Sequence, residues 1–287
     1  MTTQPVLYVN GRFVPPDALS LSPLDRGFTI ADGLFETMAV RGDRVFRLAD
    51  HLARLRRGTA ALDIPLPSDD ELAAILQETL RRNALAESAA RLTVTRGVDL
   101  GRGLALPAEP HPTIVVRVSS RALQAVDKAG LRLVVSSIRR DEASPLSSVK
   151  SLAYTAHLVA RLEAQRAEAD DALMRNIAGN LACATSSSLF LVVDGVLVTP
   201  PLTDGALPSI SRKVISELAS KEGIETIERS MSVQDLRYAS EVIITNVVTG
   251  PRAVVAVDGQ PVGGGHSGSL ARRLASLYWQ AVASETK

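Results

Sequence analysis

Lys150 stands where a polar run, Arg139-Arg140-Asp141-Glu142-Ala143-Ser144-Pro145-Leu146-Ser147-Ser148-Val149, gives way to a helical pattern beginning at Tyr154. An amine held at such a junction can meet a carbonyl compound. Lysine forms imines because desolvation lowers its pKa and frees the amine as a nucleophile. A lysine is more commonly a solvated surface charge, so its meaning depends on other segments. In His51-Leu52-Ala53-Arg54-Leu55, Arg54 lies at the edge of an amphipathic stripe. Its guanidinium can offer a fork to a phosphate, or its stem can simply cover the core edge. Leu207-Pro208-Ser209-Ile210-Ser211-Arg212 opens a helix, and the N–H groups of a helix start attract anions; an ordinary capped turn is the plain alternative. Arg96-Gly97-Val98-Asp99-Leu100-Gly101-Arg102-Gly103 is a glycine-rich loop with two arginines, suited to receive a carboxylate or to lie at the surface. Asn180-Leu181-Ala182-Cys183-Ala184-Thr185-Ser186-Ser187-Ser188 joins small side chains, which let a flat ligand approach the backbone, to three hydroxyls. It otherwise reads as a tight turn before a strand. Cys183 by itself reads as a small buried residue rather than a nucleophile.

The elements that must carry these groups are legible from periodicity. Val6 to Val14 alternates around Asn10-Gly11, a hairpin pattern, and Gly33 to Val40 with Arg44 to Leu48 repeats it around Arg41-Gly42-Asp43. Apolar spacing predicts helices over Asp50 to Leu62 and Ser68 to Leu85, the second opened by a Ser68/Glu71 capping box. Strands follow at Arg91 to Arg96 and Thr113 to Ser119, giving an α+β unit over residues 1–120. Residues 121–129 read as a connector. Beyond it lie a strand (Leu131 to Ile138), the Lys150 loop, a helix (Tyr154 to Ala169), strands at 172–176, 189–193 and 196–199, a helix over 211–222, strands at 225–230, 241–245 and 253–257, and a closing helix over 267–283. Residues 130–287 thus form a second, larger unit.

Composition narrows the function classes. At 287 residues, with 46% hydrophobic and 22% charged side chains, the chain is globular and long enough for two domains. Thirty-two basic against 31 acidic residues leave no global field to attract nucleic acid or a membrane surface. One cysteine excludes an internal disulfide and fits a reducing cytoplasm. No export signal or membrane-spanning run is read, and the four histidines lack metal-ligand spacing, so no metal is expected.

In order along the chain, these segments resemble the fold-type IV pyridoxal-phosphate enzymes, the class IV aminotransferase family, which includes branched-chain and D-amino-acid aminotransferases and 4-amino-4-deoxychorismate lyase. The resemblance starts at Asp25-Arg26-Gly27-Phe28-Thr29-Ile30-Ala31-Asp32-Gly33-Leu34-Phe35-Glu36-Thr37. It continues through His51 to Leu55, Val149-Lys150-Ser151-Leu152, Asp194 to Leu202, and Gly205 to Arg212. It implies a two-domain α/β (α+β) architecture with pyridoxal 5'-phosphate at the domain interface, and a homodimer. Lys150 would hold the cofactor covalently and shuttle the proton. Arg54 and the N–H groups of Ile210 and Ser211 would anchor the phosphate, with a second N–H pair from Val247 and Val248. Arg102 would receive the substrate carboxylate, with Phe35 and Ser187 also facing substrate.

Departures bear on the reaction. Cys183 stands where the family commonly has the glutamate that pairs with the ring nitrogen, and a thiol is a poor substitute. Ser188 replaces an asparagine, and Thr249-Gly250-Pro251 replaces the branched-chain run. Two reactions follow. One is amino transfer between an amino acid and a 2-oxo acid. The other is a lyase reaction on aminodeoxychorismate, releasing pyruvate and 4-aminobenzoate, in which aromatisation supplies driving force that a weak electron sink does not. A cofactor-binding scaffold without catalysis is a third reading, which intact Lys150 and Arg54 oppose.

Overall fold

Asn10 and Gly11 both adopt left-handed backbone, as a two-residue hairpin turn requires, so strands β1 (Leu7–Val9) and β2 (Arg12–Val14) pair with Tyr8 opposite Phe13. The computed structural model describes residues 5–18, 21–121 and 129–287; most of the expected connector, 122–128, lies outside them. The chain divides into two units, the first comprising Met1–Leu123, Val149–Ala153 and Ala283–Lys287, the second Gln124–Ser148 and Tyr154–Val282.

In the first unit a short helix α1 (Arg26–Ile30), capped by Asp25, lies inside what the sequence showed only as a motif. Then come β3 (Gly33–Arg41), β4 (Arg44–Val45), α2 (Leu48–Leu62), α3 (Asp69–Asn83), β5 (Glu87–Thr95) and β6 (Thr113–Ser120). The strands form one antiparallel sheet in the order β2-β1-β6-β5-β3-β4. Its core joins Leu34, Met38, Leu92 and Val94 to Leu52 and Leu55 of α2 and to Leu72, Leu76 and Leu80 of α3. The predicted capping box closes the start of α3, with Ser68 Oγ accepting from the Glu71 amide and Glu71 accepting from the Ser68 amide.

The second unit contains β7 (Leu131–Arg140), α4 (Thr155–Arg166), β8 (Asp171–Asn176), β9 (Leu181–Ala184), β10 (Ser188–Val193), β11 (Val196–Thr199), α5 (Ile210–Lys221), β12 (Thr226–Glu228), β13 (Glu241–Asn246), β14 (Gly250–Val257), β15 (Gln260–Pro261) and α6 (Ser269–Glu285), the last running to Val282 in this unit. The sheet order is β12-β11-β10-β13-β14-β7-β8-β9, with β15 paired to β14. Parallel pairing of β7 with β8 across α4 is a βαβ crossover; β14/β7 and β11/β12 are also parallel, and the remaining pairs are antiparallel. The expected turn at Asn180 to Ser188 is corrected: Leu181–Ala184 is a strand, bulged against β8, because its small residues fit beside Leu173 and Met174. Among the described residues no helix is long and apolar enough to cross a membrane.

Candidate active site

Lys150 is fixed by backbone pairing within the first unit. The Phe35 amide donates to Lys150 O (3.1 Å) and the Leu152 amide to Gly33 O (2.9 Å), so residues 150–152 run along the β3 edge opposite β5. Gly33 permits this approach: a Cβ there would lie 2.4 Å from Val94 O and 2.9 Å from Leu152 Cδ1. Lys150 Nζ then sits 4.3 Å from the Phe35 ring centroid, and Arg91 Cζ lies 3.7 Å from the same ring. Burial pulls the Lys150 amine down to about 8, helped by the charges of Arg54 and Arg91 and opposed by Glu36.

Arg54, at the buried edge of α2, does not snorkel. Its Nε donates to Glu36 Oε1 (2.7 Å) and its Nη2 to Glu36 Oε2 (2.6 Å), while His51 Nδ1 reaches Oε2 at 2.7 Å. Burial alone would raise Glu36; the hydrogen bonds and charge of Arg54, then those of His51, outweigh it and hold the carboxyl at about 2. His51 is pushed below its ordinary value, first by burial and then by the charges of Arg54 and Lys150, against the pull of Glu36. Glu36, His51 and Arg91 were not singled out from the sequence. The three-residue spacing of His51 and Arg54, which puts both on one helix face, was the available signal.

The glycine-rich loop is held by a charged network rather than offered whole to a ligand. Arg26 bonds Asp32 (2.8 Å), Asp99 (3.0 Å) and Ala105 O (3.1 Å). Of the loop's two arginines, Arg96 is buried on Asp32 and on the Leu62 and Asp63 carbonyls that end α2, so it is structural. Arg102 is solvent-exposed.

In the second unit, Ser209 caps α5 by accepting from the Arg212 amide, and buried Ser211 donates from Oγ to Thr245 O (3.3 Å). The Ile210 and Ser211 amides belong to the first turn, whose N–H groups have no partner within the helix. Among the described residues Thr245 Oγ1 is buried without a hydrogen-bond partner. The expectation for Val248 needs correction: its amide, like that of Thr249, already donates to Asn246 Oδ1 (3.1 and 2.9 Å), so a phosphate would have to displace that bond. Val247 is buried and its carbonyl accepts from Tyr278 Oη (3.0 Å). Ser187 Oγ accepts from Asn246 Nδ2 (3.2 Å) and lines a cleft of about 330 Å³ with Tyr154, His157, Asn246 and Thr249. Cys183 is half-buried in β9 opposite Met174, packed on the small cluster of Ala160, Ala164 and Ala172. Burial raises its thiol, Asp171 adding to the effect and Arg140 opposing it, so it is protonated at neutral pH.

The family model described as amino-transferase class IV matches residues 33–257. A Methanocaldococcus jannaschii protein, provisionally named a branched-chain-amino-acid aminotransferase, is 33% identical over 95% of this chain and 94% of its own length. The Escherichia coli branched-chain amino acid aminotransferase superposes with a TM-score of 0.92 at 26% identity, covering 99% of this chain and 97% of that one. The 4-amino-4-deoxychorismate lyase from Pseudomonas aeruginosa gives 0.84 at 34% identity, covering 96% and 98%. The chain belongs to the class IV aminotransferase family. It has the fold-type IV architecture and is a pyridoxal-phosphate-dependent enzyme; a further branched-chain aminotransferase of this fold was solved with pyridoxamine 5'-phosphate. Within the first unit an amine of lowered pKa and a buried arginine suit that cofactor, and within the second a helix start beside a buried hydroxyl that lacks a hydrogen-bond partner among the described residues suits a phosphate.

Proposed function

We propose that this enzyme moves an amino group between an amino acid and a 2-oxo acid, with Lys150 as the residue that carries the cofactor and transfers the proton. The observation that carries this reading is the Lys150 amine, set against Phe35 and drawn down to about 8, close to the pH at which a base must both accept and release a proton. When bound, pyridoxal 5'-phosphate supplies the electron sink that makes a bond beside the amino group breakable. Lys150 Nζ would take the proton from the amino-bearing carbon of the substrate and deliver it to the carbonyl-derived carbon of the cofactor, the relocation that amino transfer requires. Arg54 holds the phosphate, as do the Ile210 and Ser211 amides and the Val247 amide, with Val248 joining if Asn246 swings away. Arg102 receives the substrate carboxylate, Phe35 and Ser187 line its side chain, and Cys183 sits by the ring nitrogen. The relatives' names favour branched-chain amino acids as donors.

The lyase reading has its own support in the 34% identity to the Pseudomonas aeruginosa lyase and in the absence of a carboxylate at Cys183. Incubation with aminodeoxychorismate alone, and separately with amino acids plus 2-oxoglutarate, separates the two. Release of 4-aminobenzoate without an acceptor selects the lyase; a new amino acid formed from 2-oxoglutarate selects amino transfer. Hydride trapping followed by mass spectrometry must find a pyridoxyl group on Lys150 in either case.

Further parts of the proposal are residues 1–120 and 130–287 as the smaller and larger domains with the cofactor between them, a cytoplasmic location, and a homodimer. Supporting the dimer, the first unit leaves Phe28, Leu100, Leu104 and Leu106 exposed on segments tied together by Arg26 and Asp99. Sedimentation of the chain and of Leu104→Glu tests it, with dissociation expected for the variant.

A further inference from the structure

We propose that Glu36 is a positioning residue for the cofactor: one buried carboxylate that fixes both the rotation of the Arg54 fork and the tautomer of His51. The inference rests on the reading that Arg54 holds the phosphate. Glu36 is wholly enclosed, and its two oxygens take the Nε–Nη2 edge of Arg54 and Nδ1 of His51. A two-point bond defines the plane of a guanidinium as a single contact cannot. The orientation of Arg54 is thus set before any anion arrives.

The tautomer of His51 follows from the same carboxylate. An ionised carboxylate can only accept, so Nδ1 must carry the hydrogen. With His51 held neutral in its buried setting, Nε2 is left as a bare acceptor, and it is buried without a partner among the described residues. The groups facing Lys150 are then Arg54 and Arg91, both positive, Glu36, negative, and a neutral His51. Glu36 therefore also offsets the arginine charge next to the reactive amine.

A purely structural ion cluster would gain little here. Well-packed apolar side chains serve a core as well as buried charges do, whereas the two parallel bonds from Glu36 also fix the plane of the Arg54 guanidinium.

The test titrates the full-length chain, freed of cofactor, with pyridoxal 5'-phosphate and with pyridoxal, which lacks the phosphate. Measured above about pH 9, where the Lys150 amine is unprotonated with or without Glu36, Glu36→Gln is expected to weaken the phosphorylated compound on the order of ten- to a hundredfold while changing pyridoxal binding by less than about threefold. In the same variant the pH midpoint for imine formation with pyridoxal should fall by about one unit. Equal loss for both compounds, or no loss for either, overturns the proposal. Should Glu36→Gln fail to fold, ¹⁵N resonances of the His51 ring in the unaltered chain decide: the Nδ1–H neutral form is expected, and an Nε2–H form or an imidazolium overturns it. Arg54→Met separates this inference from the reading beneath it. If that variant keeps full affinity for pyridoxal 5'-phosphate, the phosphate role of Arg54 falls and the inference with it. If it loses affinity and Glu36→Gln does not, only the inference falls.

Discussion

Around Lys150 the first unit gathers Glu36, Arg54 and Arg91, held by short contacts, whereas at the start of α5 in the second unit Ser209, Ser211, Thr245 and Asn246 are neutral and Arg212 is turned onto Glu228 (2.9 Å) and the Pro200 carbonyl. The two regions handle polarity differently. Charge inside a protein must be paired or it shifts the equilibrium toward neutral forms, and the first unit pairs it in a fixed geometry. Neutral donors at a helix start need no counter-charge and can wait for an anion at little cost. The first unit thus contributes paired charge, the second neutral N–H and hydroxyl groups at a helix start.

The sharpest way to break this comparison is Lys150→Ala. It should abolish the hydride-trapped pyridoxyl adduct and lower turnover on the order of a thousandfold or more, read by mass spectrometry and steady-state kinetics. Gly33→Ala comes next. Its methyl group would press on Val94 O and Leu152 Cδ1, so a loss of about 1–3 kcal/mol in urea unfolding is expected, along with slower adduct formation at Lys150. Unchanged adduct kinetics would show that the β3 edge does not set the amine.

Acid should act mainly on the first unit. Glu36 is held at about 2 against an ordinary 4.5, so the unfolded chain binds the proton more readily between those values. Stability from the ionised carboxylate is complete above about pH 4.5 and lost toward pH 2, on the order of 3 kcal/mol. His51, lowered from 6.5, adds a loss in the same direction that begins as pH drops below 6.5. Hydrogen exchange should therefore show amides of α2 and β3 opening in acid before those of α5; simultaneous opening would erase the distinction. A smaller effect is expected from Ser209→Ala, about 1 kcal/mol of lost capping with a several-fold weaker hold on pyridoxal 5'-phosphate. Smallest of all, Cys183→Ala should leave cofactor affinity unchanged, while Cys183→Glu should move the absorption maximum and its pH response if residue 183 faces the ring nitrogen.

Helices α2, α3 and α5 and the first hairpin follow from spacing, caps and turn residues that act within a few positions of one another. Strand β9 escaped because Ala182, Cys183 and Ala184 have weak strand preference and pair only through β8. Helix α1 escaped because five residues carry too little periodicity. Lys150 and Arg54 were identifiable as residues, and the motif order identified their family. Glu36 lay inside a quoted motif, yet nothing local marked it as the partner of a helix residue eighteen positions away.

Local chemistry was therefore written in the chain: a lysine after a polar loop, an arginine on a helix edge, a serine-capped helix start. Its tuning was not. The lowered amine of Lys150, the fixed fork of Arg54 and the neutral state of His51 arise from burial and from charges brought together by strand pairing and helix packing. Desolvation and Coulomb interaction depend on distance through space, and only the folded backbone fixes those distances.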